Sequence, residues 1–395
     1  MTPTERRASA SLAGIFALRM LGLFLVLPVF AIEARRYPGG EDPVLLGLAM
    51  GIYGLTQGLL QLPFGMASDR FGRKRVIVLG LLVFAVGSFW AAAATDLSSL
   101  LVGRSLQGAG AVSAAVTALL ADLTRDEVRT KAMALVGGSI GLMFAFSLVV
   151  SPLLNGWMGL SGLFGLTAVL ALLGVGVVIW GVPAAPEPER DQHGGRLRDV
   201  LVNTDLMRLN VGVFVLHAVQ LAMWVAVPAL LVQAGLQSAQ HWQVYLPAVV
   251  LSFLFLGAVF AMERRGHLKK AFLLSIALIL LVELGFFWQS MGTTDFASMA
   301  ALLLLFFCGF NALEATQPSL ASRIAPRALR GTAMGVYNTL QSLGFFVGGL
   351  MGGWLVKSWG TPALFLCCGG ALLVWLLVAW PMQTPGRAPT TAPVA

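Results

Sequence analysis

The sequence predicts an all-α membrane protein whose twelve transmembrane helices form two pseudo-symmetric six-helix bundles. Three observations predict it: an apolar composition, a succession of apolar runs each long enough to cross a bilayer, and one loop pattern that recurs in both halves. Of 395 residues, 57% are hydrophobic and 11% charged, against about 25% charged in a soluble domain. Mean hydropathy is +0.83. Most of the surface must therefore face lipid. The net charge of +8 does not indicate nucleic acid, because the basic residues sit in short loops between apolar runs and share no soluble face.

A span needs about 20 mostly apolar residues. On that rule the first half holds Ala8–Ile32, Val44–Ala67, Val76–Ala94, Leu97–Ala121, Thr130–Asn155 and Leu160–Val182. The second holds Met207–Val232, His241–Met262, Leu268–Gln289, Ala297–Ser322, Gly331–Val356 and Pro362–Trp380. Arg6 and Arg7 ahead of the first run imitate a signal peptide. The run is too long for one and ends in no small-x-small cleavage site, so it reads as an uncleaved span.

The expected organisation is an N-terminal bundle over residues 1–182, a linker over 183–205, a C-terminal bundle over 206–381 and a disordered tail over 382–395. The linker carries Pro183, Pro186, Pro188, Gly194 and Gly195 among mixed charges, with a short amphipathic helix expected near Leu197–Leu201. With both termini cytoplasmic, inside segments hold about 21 basic residues and outside loops about three, namely Arg35, Arg36 and Lys357. That is the positive-inside pattern of a multi-pass protein, here expected in a bacterial inner membrane. Cys308, Cys367 and Cys368 lie inside apolar runs without metal-ligand spacing and read as packing residues. No metal or cofactor is expected.

The halves look like repeats. Asp69-Arg70-Phe71-Gly72-Arg73-Lys74-Arg75 follows the second run, and Glu263-Arg264-Arg265-Gly266-His267-Leu268-Lys269 follows the eighth. Asp122 through Arg129 to Ala132-Met133 parallels Arg323 through Arg330 to Ala333-Met334. The copies lie about 200 residues apart and point the same way. Two such bundles about an axis along the membrane normal fit an alternating-access carrier better than a pore.

The strongest local motif is Gly65-Met66-Ala67-Ser68-Asp69-Arg70-Phe71-Gly72-Arg73-Lys74-Arg75. Gly65 allows close helix approach, Asp69 is placed to accept from a neighbouring helix N-terminus, and Gly72 permits a tight turn. The three bases alone would serve as a positive-inside anchor. The spaced pattern G-x-x-x-D-R-x-G-R-K resembles the signature loop of the major facilitator superfamily, and the resemblance extends over nearly the whole chain. It implies the major facilitator fold and a loop that latches the halves together. It further implies that Asp69 meets the start of span eleven near Gly331 and that Arg73 pairs with Asp122 below span four.

Span four carries Gly103-Arg104-Ser105-Leu106-Gln107-Gly108-Ala109-Gly110, with Arg104, Gln107, Gly108 and Ala111 expected on one helical face. An intramembrane Arg costs several kcal/mol, roughly 2.5–3.5 or more, unless it faces water or a partner. A structural pin is one reading. The match to the superfamily's R-x-x-Q-G motif implies a part in proton-coupled movement. Span five ends Ser151-Pro152-Leu153-Leu154-Asn155-Gly156. The drug:proton antiporter branch often has G-P-x-x-G-G there; Pro152 and Gly156 match, Ser151 and Asn155 depart. Leu18-Arg19-Met20-Leu21-Gly22, Gly51-Ile52-Tyr53-Gly54-Leu55-Thr56-Gln57 and Gly331-Thr332-Ala333-Met334-Gly335-Val336-Tyr337 are most similar to YajR-type efflux carriers. Some of these bear a C-terminal soluble domain, which this chain is expected to lack.

Small residues recur at Gly344, Gly348 and Gly352 and at Gly137, Gly138 and Gly141, where backbones approach closely and surfaces are expected either to pack or to slide. Buried charge is the most informative feature of such a chain. Arg19, Arg104, Glu283 and Glu314 remain inside runs, with His217 beside them. The superfamily fold lines its central cavity with spans one, four, seven and ten, and Arg19, Arg104, His217 and Glu314 fall one on each. Glu283, on span nine, is expected to be structural.

Glu314 is the leading proton carrier, with Arg19 or Arg104 expected nearby to favour its charged form. His217 is a second candidate, since its intrinsic pKa is about 6.5, against the alternative of a hydrogen-bonded packing histidine. Gln57, Gln61, Gln107, Trp224, Asn311, Asn338 and Gln341, with Tyr53 and Tyr337, are candidate substrate contacts. The implied function is proton-coupled export of small amphipathic compounds by a monomer, its partners being substrate, protons and the bilayer. A proton-coupled importer of a sugar, amino acid or metabolite, and a non-transporting receptor or scaffold, are the competing readings. No catalytic constellation, metal spacing or phosphate loop points to an enzyme.

Overall fold

Lipid offers backbone N–H and C=O groups no partner, so the apolar runs must become helices. The computed structural model describes residues 1–183, 197–292, 294–325 and 330–382. Among them lie α1 (Pro3–Glu33), α2 (Pro43–Phe71), α3 (Arg73–Ala92), α4 (Leu97–Ala109), α5 (Ser113–Asp122), α6 (Asp126–Gly176), α7 (Leu197–Val202), α8 (Thr204–Gln233), α9 (Trp242–Arg264), α10 (Leu268–Met291), α11 (Phe296–Ile324) and α12 (Arg330–Ala379). Side-chain caps fix where several begin. Asp42 accepts from Val44 N–H, Asp96 from Ser99, Asn203 from Leu206 and Asp295 from Ser298, each satisfying a donor the helix leaves free.

Two helices are too long to be single spans. α6 has 51 residues and α12 has 50, about 75 Å at 1.5 Å per residue, more than twice a hydrocarbon core of about 30 Å. Each reverses at a glycine in positive φ: Gly159 (64°) and Gly360 (84°). Contacts to α1 show the reversal. Ser139 and Ser151 donate to the Ala13 and Leu25 carbonyls, running with α1. Thr167 then donates to Gly22 O, and Arg7 reaches back to Gly181 O, running against it. In the second half, Phe286 stacks on Phe365 and Phe272 meets Trp375, so the last span runs against α10.

The fourth span departs from the continuous helix expected. It breaks at Gly110–Val112 into α4 and α5, because the chain there is pressed onto α3: a Cβ on Gly110 would collide with Phe84 and Gly80. Ala111 consequently leaves the helical face shared by Arg104, Gln107 and Gly108. With that break and the two hairpins counted, the described helices supply the twelve spans expected. The short helix α7 occupies the end of the linker.

The halves meet along α2 and α12. Gly47, Gly51 and Gly54 face Gly349, Phe346 and Ser342 so closely that a Cβ on any of these glycines would strike opposing backbone. Gly344, Gly348 and Gly352 do not belong to this seam. They pack against Phe214, Ala218 and Ala222 of α8, inside one half, in line with the packing alternative and not with sliding between halves. The seam ends in an ion pair between the halves, Lys357 Nζ to Asp42 Oδ2 at 2.7 Å, on the face away from the N-terminus. Elsewhere a Cβ would meet open space within 4 Å, at Gly14, Gly137, Gly138, Gly141 and Gly335 near the N-terminal face and also at Gly156, Gly235 and Gly292 near the other.

Candidate functional site

The N-terminal bundle holds two buried guanidinium groups. Arg19 on α1 is 1% exposed; it donates through Nη1 to Ser113 Oγ (3.0 Å) and through Nη2 to Tyr53 Oη (2.7 Å). Its buried Nε has no partner. Arg104 on α4 donates to the Ala49 and Met50 carbonyls of α2, both at 3.3 Å, and to Gln107 Oε1 at 2.8 Å. Tyr53 joins the two, because the Arg104 guanidinium also lies 5.2 Å from the Tyr53 ring centre. Gln107 passes its own N–H to Ser88. No carboxylate pairs with either arginine among the described residues.

The C-terminal bundle holds a different cluster. His217 on α8 is 1% exposed. Its Nδ1 lies 2.8 Å from Val213 O, and a carbonyl only accepts, so Nδ1 carries a hydrogen. The other nitrogen, Nε2, faces Gln341 Nε2 at 2.7 Å and Glu314 Oε1 at 3.2 Å. Neutral His217 therefore accepts from the Gln341 amide, and protonated His217 donates to the Glu314 carboxylate. Glu314 is half-buried rather than fully enclosed, its side chain 35% exposed. Its neighbour is His217, not the arginine that the sequence led us to expect. Tyr337 Oη donates to Gln317 Oε1 at 3.2 Å one turn away.

A small, largely apolar pocket lies between the two halves beside Arg104. Leu23, Phe24, Val26, Leu27 and Phe30 of α1, Met50 and Tyr53 of α2, Arg104, Leu221 of α8 and Phe345 of α12 line it. Leu221 lies one turn along α8 from His217, and Phe345 one turn along α12 from Gln341, so the pocket ends one helical turn from the histidine cluster. Phe345 stands between them, 4.8 Å centre to centre from the His217 ring. Phe144 of α6 makes an aromatic contact across the halves with Phe307 and Phe310 of α11.

Of the remaining candidates, Gln57, Asn338 and Asn311 are half-buried, Asn311 donating to Ser252. Gln61 is buried with its Oε1 unpartnered. Trp224 is wholly enclosed and packs edge-on against Tyr245, and Gln107 is occupied by Arg104 and Ser88, so both serve packing rather than the cavity. Glu283 is 0% exposed on α10, remote from either cluster, with neither oxygen partnered. Ser113, Gln317 and Phe345 were not anticipated. Helical spacing could have found two of them: Gln317 is three residues past Glu314 and Phe345 four past Gln341.

At the N-terminal face, Gly72 caps α2 with φ of 96°. Arg73 donates through Nε to Asp122 Oδ2 at 3.0 Å and through Nη1 to Ser68. Arg70 lies over the Phe71 ring. The other half keeps the turn but pairs a different position: Gly266 takes φ of 78°, and Arg323, the counterpart of Asp122, donates to Glu263, the counterpart of Asp69, at 2.6 Å. Gly65 meets Ala114 only at 3.6 Å, ordinary contact that a Cβ would tolerate. The expected meeting of Asp69 with Gly331 falls on side chains outside the described ones.

Comparison with known proteins places these features. The family model described as Major Facilitator Superfamily matches residues 12–349 and 320–395. The chain is 42% identical over 393 residues to the inner membrane transport protein YajR of Escherichia coli (strain K12), covering 98% of this chain and 85% of that protein. It is 27% identical over 363 residues to the multidrug resistance protein MdtH of Yersinia enterocolitica, covering 87% and 85%. Among solved structures, an auto-inhibited peptide transporter of the POT family superposes with a TM-score of 0.78 at 14% identity, covering 96% and 98%. At that identity the likeness is one of fold.

Proposed function

Since the chain belongs to the Major Facilitator Superfamily, and so is a membrane transporter, we propose that it exports small amphipathic compounds by proton-coupled antiport. The observation that carries this reading is the contact of His217 with Glu314 and Gln341 beside a largely apolar cavity. The names of the multidrug resistance relatives support export. Basic loops on the side of the N-terminus, and an inner membrane relative, support a bacterial inner membrane with both termini cytoplasmic; the chain is proposed to act as a monomer.

On this reading the closed α2–α12 seam is the outer gate and the N-terminal face is the cytoplasmic opening. Substrate enters the cavity from the cytoplasm while the His217–Glu314 site gives up its proton. The halves rock, the seam parts, substrate leaves, and a proton from outside reloads the site. The loop of Gly65, Asp69, Arg70, Gly72 and Arg73, with Asp122 and Gly331, is the latch of the opposite state. Arg19 and Arg104 tie α1, α2, α4 and α5 into one rigid body that moves as a unit.

The test is flux in liposomes with an imposed pH gradient, comparing the parent with Glu314→Gln. The variant should lose gradient-driven flux and keep exchange down a substrate gradient. Equal gradient-driven flux in both would remove Glu314 from the mechanism, and uptake against the expected direction would favour the importer.

A further inference from the structure

We infer that the cavity selects lipophilic anions, compounds with an aromatic or aliphatic body and one acidic group. The inference deepens the export reading and rests on it for what happens after binding. The walls are apolar and aromatic apart from Tyr53 and Arg104. A body of hydrophobic character gains from burial there. The choice of head group follows from charge.

Arg104 is the charged group on the wall. A guanidinium has five N–H donors, and three are used: Nε on Ala49 O, Nη1 on Gln107 and Nη2 on Met50 O. One donor on each Nη is left. Arg19, tied to the same Tyr53, has a buried Nε without a partner. Both cations are held by neutral oxygens, and among the described residues neither has a carboxylate beside it. The wall thus carries one positive charge, Arg104, with a second, Arg19, buried behind Tyr53; aromatic rings contact both, but no anion among the described residues offsets either in this poorly screened setting. An anionic head supplies the missing countercharge and acceptors. A cationic head meets like charge, which an apolar wall cannot screen. The cavity's one nearby acid, Glu314, is across Phe345 and engaged with His217.

The geometry also explains why the acid and the arginines sit in different halves. An anion held at Arg104 bears on the N-terminal bundle, and the proton site bears on the C-terminal one. Loading of both spans the two bodies that must move.

The test is equilibrium binding to the full chain in nanodiscs, with no gradient applied. Three matched probes are used: 1-naphthaleneacetate, its carboxamide and 1-naphthylmethylammonium. The carboxylate should bind about tenfold tighter than the ammonium. Arg104→Gln should abolish that preference and Arg104→Lys should keep part of it. Because Arg104 also ties α4 to α2, a second variant leaves it intact: Leu23→Asp adds a negative charge on a half-buried wall position and should likewise abolish the preference. Ammonium binding as tight as carboxylate, no saturable carboxylate binding, or a preference unchanged in Arg104→Gln and Leu23→Asp would overturn the inference. Retained anion preference without proton-driven flux would instead sink the export reading and leave the ligand class standing.

Discussion

His217 Nε2 lies 3.2 Å from Glu314 Oε1 while its Nδ1 is committed to Val213 O at 2.8 Å. The backbone contact fixes which nitrogen is free, so protonation changes only the side facing Glu314 and Gln341. A packing histidine would need one such bond; this one has its variable nitrogen aimed at an acid that reaches solvent.

Replacing His217 by Phe keeps the aromatic packing on Phe345 and removes Nε2. Gradient-driven flux should fall by about tenfold or more, in the range for loss of a positioned proton-transfer group. Unchanged flux would return His217 to a packing role. Thermal unfolding measured alongside should stay close to the parent.

Tyr53→Phe removes the acceptor for Arg19 Nη2, a bond of 2.7 Å between two buried side chains. Hydrogen bonds to charged groups are worth about 1.5–3 kcal/mol, and the guanidinium cannot turn to water. The variant should unfold at a lower temperature by several degrees, read by differential scanning fluorimetry in detergent. A melting temperature equal to the parent's would show that Ser113 alone suffices.

Gly349→Val puts a side chain into the backbone of Gly47 and Gly51. Overpacking costs about 1–3 kcal/mol, which moves an equilibrium by about fivefold or more. The closed outer seam should therefore open more often. The reporter is Leu46→Cys, a position 1% exposed beside the seam, in a background lacking Cys308, Cys367 and Cys368. An impermeant maleimide should label it faster when Gly349→Val is added; slower or equal labelling would contradict the seam.

The Lys357 side chain beside Asp42, helped by the Val44 N–H, holds the Asp42 carboxyl below the usual aspartate range. A depressed value means that the pairing supports the closed seam above the ordinary aspartate pKa of about 3.9 and loses that support as pH falls through the lowered one. The pair is exposed, and such pairs contribute little. Because the thiolate is the reacting species, each rate is divided by that of a free thiol at the same pH; the normalised labelling at Leu46→Cys should rise only a few-fold from pH 6 to pH 3, with no change between pH 8 and pH 6. Asp42→Asn should remove the rise, and an identical acid step in that variant would assign it elsewhere.

The two arginines show where residue order stops informing. Their presence inside apolar runs marks Arg19 and Arg104 as buried and consequential, because lipid penalises a charge whatever the fold. What satisfies them is set by distant chain: Tyr53 and Ser113 for Arg19, the Ala49 and Met50 carbonyls for Arg104. Those partners come from other helices, and nothing in the local pattern ranks them above Glu314. The glycines behave alike. Gly344, Gly348 and Gly352 share a spacing with Gly349 and Gly353 on the next face of the same helix, and only the neighbours distinguish packing within a bundle from the seam between bundles.

By itself the sequence determined that the chain crosses the membrane twelve times, in two repeated halves, with its basic loops on one side. Those properties follow from burying apolar length and from keeping positive charge in water, both of which are additive along the chain. Only the tertiary structure decided that Glu314 answers to His217 rather than to an arginine, that the fourth span breaks at Gly110, and that α2 and α12 close on each other between Asp42 and Lys357. Each of these depends on which side chains helix packing brings together in three dimensions, a matter of geometry between segments that no local run of residues encodes.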